Sequence, residues 1–167
     1  MKKILISIVF ILLFNQSVFG ETIIGKATVI DGDTIKINGI KIRLFGIDAP
    51  EKKQLCQKAF LDINFISLKK KYDCGEISTL KLKKLIENEN INCVINGEDF
   101  FKRKIGICFR NKLDINSWMV RTGLAVAYIK YSKKYYQDQI QAEAEGLGLW
   151  QGDFEMPWDW RKKSAKN

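Results

Sequence analysis

The sequence contains no histidine, and that single absence removes several chemistries at once. A Ser-His-Asp hydrolase, a histidine-based nuclease and a histidine-ligated metal site each need a residue this chain does not have. Any chemistry must come from carboxylates, Arg, Lys, Tyr or Ser. No C-x-x-C pair occurs among the four cysteines, which argues against zinc. Only two prolines are present, and no internal repeat or low-complexity tract is visible. A long hydrophobic run occurs once, from Ile4 to Phe14, and it is too short to span a bilayer.

That run sits in MKKILISIVFILLFNQSVFG, behind two lysines and ahead of a polar stretch ending in Val-Phe-Gly. The layout is that of a secretory signal peptide over residues 1–20, with cleavage expected after Gly20. No cysteine follows that point directly, so no lipoprotein anchor is expected. The mature chain is expected to be exported, periplasmic or secreted, without stable membrane association, and monomeric. Removing residues 1–20 takes away Lys2 and Lys3 and no acid, so 26 basic against 19 acidic residues leave +7. Such a balance favours nucleic acid or another anionic surface without singling one out. The length suits one domain with a genuine core. An even number of cysteines in an exported chain reads as two disulfides, with three possible connectivities.

From Thr22 to Ile47 β-branched residues are dense and turns are short. TIIGKATVI, DTIKI and IKIRLFGI read as three strands joined at Asp31-Gly32 and Asn38-Gly39. Residues 55–73 are ambiguous between a short helix and an elaborated loop. GEISTLKLKKLIENEN (75–90) reads as an amphipathic helix with Ile77, Leu80, Leu85 and Ile86 inward. INCVI (91–95) and KIGICF (104–109) read as an antiparallel pair in which Cys93 and Cys108 can face each other. That suggests one disulfide and leaves Cys56–Cys74 as the other. LDINSWMVRTGL (113–124) reads as a helix with Asp114 as N-cap and Gly123 at its end. SKKYYQDQIQAEAEG (132–146) reads as a last helix closed by Gly146, and the basic tail 154–167 as mobile. The fold class is α+β: about three helices around a small barrel.

Three charged groups stand out, and each has a plain structural explanation. Asp31 and Asp33 flank Gly32, where a hairpin turn explains them as well as a shared function. Asp48 and Glu51 bracket Pro50, where helix capping is the ordinary reading. Arg103 lies in a basic stretch from Lys102 to Lys112 that a solvated face would explain. Arg43 shares a strand face with Phe45 and Ile47, and a guanidinium there needs a partner such as Asp48 or Glu51, or an anionic ligand. Their conjunction is more specific than any one of them.

VIDGDTIKING and IKIRLFGIDAPE, then a D-x-x-x-R hairpin, then DINSWMVRTGLAVAY and EAEGLGLW, resemble the staphylococcal nuclease (thermonuclease-like) family over Ile24 to Trp150. The cysteines and the PWDW ending resemble those of exported bacterial members. The resemblance implies a five-stranded OB-fold-like barrel with helices, a nuclease domain over 21–153, and a calcium-dependent phosphodiesterase. It implies cleavage of DNA or RNA at the 5′ P–O bond, leaving 3′-phosphate ends. Asp33 and Asp48, with the backbone carbonyl of Ala49, match calcium ligands, and Asp31 a supporting acid. Arg43 and Arg103 match the two arginines on the scissile phosphate, and Glu51 the general base. Tyr128 matches an aromatic of the base pocket, where core packing is the equal alternative, and Phe101 keeps a stacking face near Arg103. Trp118, Trp150, Trp158 and Trp160 read as packing or tail residues.

The chemistry of these residue types suits that role. Calcium takes oxygen ligands in loose geometry, arginine grips phosphate oxygens with a planar fork, and a carboxylate nearby can deprotonate water. Two departures stand out. Phe101-Lys102 replaces a common Tyr-Gly, so a positive φ at Lys102 would strain the loop before Arg103. Ala49 stands where some members have threonine, which loses a side-chain contact and keeps the carbonyl. Two other functions fit part of the pattern: a non-catalytic OB-fold module for nucleic acid, and a protein binding an anionic envelope polymer.

Overall fold

The computed structural model describes residues 21–63 and 66–166; residues 1–20, the expected signal peptide, lie outside the described residues. In chain order the elements are β1 (Thr22–Asp31), β2 (Thr34–Ile37), β3 (Ile40–Leu44), β4 (Ile47–Asp48), β5 (Cys56–Ile63) and β6 (Ile66–Tyr72). Then come α1 (Cys74–Ile86), β7 (Asn90–Glu98), β8 (Lys104–Arg110), β9 (Leu113–Asp114), α2 (Ile115–Arg121), β10 (Val126–Ala127) and α3 (Tyr136–Ala144). A 3₁₀ turn (Gly148–Gln151), β11 (Gly152–Asp153) and α4 (Pro157–Ser164) complete the chain.

β1, β2 and β3 form an antiparallel meander. Asn38 and Gly39 both take left-handed φ, 49° and 85°, as a two-residue hairpin turn requires. At the first turn Asp31 pairs with Thr34, so Gly32 and Asp33 make the turn itself. β1 pairs antiparallel with β7, β7 with β8, and β8 runs parallel to β3. That last pairing closes a five-stranded mixed barrel, the OB-fold-like α+β architecture expected. Ile35, Ile37, Ile42, Leu44 and Ile91 fill it, each almost wholly buried. Burying side chains of this size is worth about 1.5–3 kcal/mol apiece.

α2 caps the barrel as its sequence suggests: the Asp114 carboxylate accepts the Ser117 N–H at 3.0 Å, and Gly123 follows at φ 67°. Asn116, fully buried, accepts from the Cys108 N–H and donates to the carbonyls of Phe45 and Gly106. It thereby ties the barrel to the segment leading into the site. Both expected disulfides are present, Cys56–Cys74 and Cys93–Cys108, the latter joining directly opposed residues of β7 and β8.

Three readings need correction. Residues 56–72 are neither helix nor loop but a hairpin, β5 against β6, with β11 added on the β5 edge. In α1 the inward face holds Ser78, Thr79, Leu82, Leu85 and Ile86, while Ile77 and Leu80 are exposed. The first half of that helix packs so closely that small residues fit and large ones do not. A Cβ on Gly75 would meet the Glu51 carbonyl oxygen at 1.8 Å. Finally, the basic tail is not loose: it contains α4, a fourth helix, which packs against the site described next. Among the described residues no helix is long and apolar enough to cross a membrane.

Candidate active site

The site is built where the β1–β2 turn, β3 and β4 meet. β3 carries Arg43 inward, and the guanidinium lies between two aspartates. Nη1 donates to Asp33 Oδ1 at 2.5 Å and Nη2 to Asp48 Oδ1 at 2.7 Å. Asp33 is 4% exposed and Asp48 0%, so both carboxylates are removed from water and must be met by donors. Asp33 is met further by Thr34 Oγ1 at 3.0 Å and by the Ala49 N–H at 3.0 Å. Arg43 therefore pairs with Asp33 and Asp48, and not with Glu51.

Burial raises the Asp48 carboxyl above the ordinary carboxylate range, even though Arg161 and Arg43 pull it back. Asp31, whose Oδ1 accepts the Asp33 N–H at 3.1 Å, is pushed up to about 6 by burial and by the charge of Asp33. Burial works against the charge on Arg43, and the adjacent Asp33 and Asp48 more than restore it. The acidic group is thus crowded enough to favour an added positive charge.

Arg103 is placed by its own loop. Asp99, four residues earlier, accepts the backbone N–H groups of Phe101 and Arg103 at 2.9 Å each and the Arg103 Nε at 2.7 Å. Burial raises the Asp99 carboxyl, but the hydrogen bonds and charge of Arg103 outweigh it and the net shift is downward. Lys102 does take a left-handed φ of 57°, as the departure from glycine foretold. Arg103 nevertheless faces the cleft, with Nη1 donating to Thr34 Oγ1 at 3.4 Å and the guanidinium carbon 5.7 Å from the exposed Phe101 ring. Thr34 thus links Arg103 to Asp33 and the Arg43 group.

Glu51 sits at the edge of the buried pair in a non-helical loop, so the capping explanation for Asp48 and Glu51 does not hold. Gln54, fully buried, holds that loop: its Oε1 accepts the Glu51 N–H at 3.2 Å, and its Nε2 donates to the Glu155 carbonyl at 2.6 Å. An unexpected partner comes from α4. Arg161 Nη1 donates to Glu51 Oε1 at 2.8 Å and Asp48 Oδ1 at 3.1 Å, and Nη2 to Asp48 Oδ2 at 2.8 Å. On the same helix Trp158 stacks on Tyr128, with ring planes 5° apart and centroids at 5.2 Å. Tyr128 also meets Tyr131 edge to face. Arg43, Arg103, Arg161, Phe101, Tyr128 and Tyr131 are among the walls of one open cleft of about 830 Å³.

Sequence reasoning thus gathered Asp31, Asp33, Arg43, Asp48, Ala49, Glu51, Arg103, Phe101 and Tyr128, and the fold brings them to one region. It gave no role to Thr34, Gln54, Asp99, Trp158 or Arg161. Asp99 was visible as the first residue of D-x-x-x-R; the others carry no local signal.

The donors suit a hard cation such as Ca²⁺, since the aspartates, Glu51 and the Ala49 carbonyl offer oxygen alone. Asp33, Asp48 and Glu51 meet two guanidiniums, Arg43 and Arg161, and Asp31 stands behind Asp33, so the group is acidic on balance. Yet among the described residues no three acidic side chains converge as a ready ligand set, and arginine nitrogens hold both oxygens of Asp48.

A closed five-stranded barrel with helices, bearing buried aspartates beside an arginine-lined cleft, places the chain among small OB-fold-like α+β proteins. The model of the staphylococcal nuclease homologue family matches residues 41–152, and the chain belongs to that family. The chain is 35% identical over 143 residues to the succinoglycan biosynthesis protein ExoI of Rhizobium meliloti (strain 1021), covering 84% of this chain and 71% of that protein. It is 34% identical over 145 residues to an uncharacterized endonuclease of Haemophilus influenzae (strain ATCC 51907 / DSM 11121 / KW20 / Rd), covering 82% and 71%. It is 31% identical over 172 residues to an uncharacterized endonuclease of Escherichia coli O157:H7, covering 98% and 99%.

Proposed function

We propose that this chain is an exported, calcium-dependent nuclease that hydrolyses phosphodiester bonds of DNA, RNA or both. The observation that carries the reading is that Arg43 and Arg103 line one cleft beside the buried Asp33–Asp48 pair, with Glu51 tied to Asp48 through Arg161. Family membership and the endonuclease names of the relatives support it. The two disulfides suit an oxidising compartment.

In this reading the nucleic-acid backbone enters the cleft and the scissile phosphate meets Arg43 and Arg103. Their guanidiniums offset the charge that builds on the phosphoryl oxygens as the bond breaks. Glu51 orients a water and takes its proton as the oxygen attacks phosphorus. The P–O5′ bond then breaks, and the 5′ oxygen leaves as a hydroxyl after taking a proton from solvent. Asp33, Asp48 and the Ala49 carbonyl would hold calcium, with Asp31 in support; when bound it would supply further positive charge to the phosphate. Phe101 and Tyr128 offer ring faces to bases, a contact worth about 1–3 kcal/mol per base and tolerant of sequence.

The ion pair between Glu51 and Arg161 favours a second reading, a binding module on the same barrel, because it engages the proposed base. One assay separates the two. Residues 21–167, refolded with their disulfides, are incubated with single-stranded DNA and RNA in calcium or chelator, beside Glu51→Ala. Cleavage that requires calcium and falls about 10²–10⁴-fold in the variant is expected for the enzyme. Retention of both nucleic acids without cutting would establish the module instead.

A further inference from the structure

Asp48 is wholly buried, and each of its oxygens is in arginine hands. Arg43 and Arg161 share Oδ1, and Arg161 alone holds Oδ2. The same Arg161 nitrogen that reaches Asp48 Oδ1 also holds Glu51 Oε1. One guanidinium therefore joins the proposed cation ligand to the proposed base. We propose that Arg161 is a positioning residue that locks Asp48 and Glu51 together, and that a divalent cation takes Asp48 only in exchange for it. The inference rests on the reading of Asp48 as a cation ligand.

The two arginines on Asp48 are not equally free to leave. Arg43 stands on β3, in a strand paired on one side with β2 and on the other with β8. Arg161 stands on an eight-residue helix at the end of the chain. That helix is held by the buried Pro157, by Trp158 on Tyr128, and by the Gln54 bond to Glu155 just before it. Met156 and Trp158 also pack on Cys56, Cys74, Val126 and Leu149, but none of these residues belongs to the five barrel strands, so α4 is the element that can move without opening the barrel. A cation carrying two charges would replace a group carrying one, and departure of Arg161 would free Glu51 Oε1 to meet a water. Arrival of the cation and release of the base would then be a single event.

Calcium binding is measured by titration calorimetry on residues 21–167 without nucleic acid, for the wild type, Arg161→Gln, Arg161→Lys and Asp48→Asn. Circular dichroism checks that each variant is folded. Arg161→Gln is expected to bind calcium about tenfold or more tightly, with Arg161→Lys closer to wild type. In the wild type, saturating calcium should increase deuterium uptake across residues 157–164. A glutamine variant that binds no more tightly, or α4 protection that calcium leaves unchanged or strengthens, would overturn the exchange. Calcium binding that survives Asp48→Asn unaltered would overturn the ligand assignment beneath it. A lost structural contact alone would weaken binding rather than tighten it.

Discussion

The barrel wall and the C-terminal helix each send arginine to the same acidic group, and they hold it by different means. Arg43 stands on a strand hydrogen-bonded on both sides, with its side chain 17% exposed between two buried carboxylates. Arg103 leaves the barrel at the start of β8, with a local carboxylate fixing its loop. Arg161 is 37% exposed and reaches back over more than a hundred residues from a helix of two turns. Charges built into the barrel are fixed by the fold, whereas the helix-borne charge is fixed by a handful of contacts that can be exchanged. An architecture of this kind keeps Arg43 rigid in the barrel wall and leaves Arg161, over Glu51, adjustable.

The contrast can be broken most sharply through stability. Arg43→Met, which removes the guanidinium set between the buried Asp33 and Asp48, is expected to cost about 3–5 kcal/mol. Arg161→Gln takes the guanidinium from Oδ2 of the wholly buried Asp48, and because the glutamine amide can still donate it is expected to cost less, about 1–3 kcal/mol. Urea unfolding of both variants measures this, and equal losses would erase the distinction between wall and helix.

A smaller effect concerns the loop of Arg103. Asp99→Asn keeps an oxygen for the backbone N–H groups but loses the charged partner of Nε, an expected cost of about 1–2 kcal/mol at pH 7. Because the fold lowers the Asp99 carboxyl, its stabilisation is present above the ordinary range near pH 4 and is lost as pH falls through the depressed value. The gap between variant and wild type should therefore narrow progressively in unfolding curves taken at falling pH below 4. A gap that does not narrow there would remove the charge from the explanation.

The smallest effect tests the turn itself. Lys102→Gly removes a left-handed strain of about 1–2 kcal/mol and adds a glycine entropy cost of about 0.5–1 kcal/mol. A net gain near 0.5 kcal/mol is expected by thermal unfolding, and a loss would show that the lysine side chain itself contributes.

The same division separates what was legible in the sequence from what was not. Strand alternation around Ile35, Ile37 and Ile42, the Asn38-Gly39 turn and the Asp114 cap are local signals, so the barrel and α2 were readable. Arg43, Asp48 and Glu51 lie within nine residues of one another and were readable as a group. The β5–β6 hairpin was not, because β6 runs Lys69-Lys70-Lys71 and Phe60 and Leu68 lie exposed, so no apolar face fixes a register. The inward side of α1 was misjudged because close backbone approach at Gly75 favours Ser78 and Thr79 over Ile77 and Leu80. Arg161 sits among other basic residues near the terminus, and only tertiary structure shows that it alone of that run meets Asp48. Trp158, which reads as a packing or tail residue, packs on Tyr128, a partner that the sequence does not indicate.

The parallel seam between β3 and β8 has a geometric consequence. Arg43 lies opposite Ile105, and Arg103 lies two residues before it along the neighbouring strand. One strand spacing across and two residues along put the two backbones about 8 Å apart. The gap between the two guanidinium stems is thus ruled by main-chain hydrogen bonds, not by side-chain packing. Whatever happens to the tail, the span between those two stems keeps the same gauge for as long as the barrel stays shut and Asp99 holds the loop of Arg103.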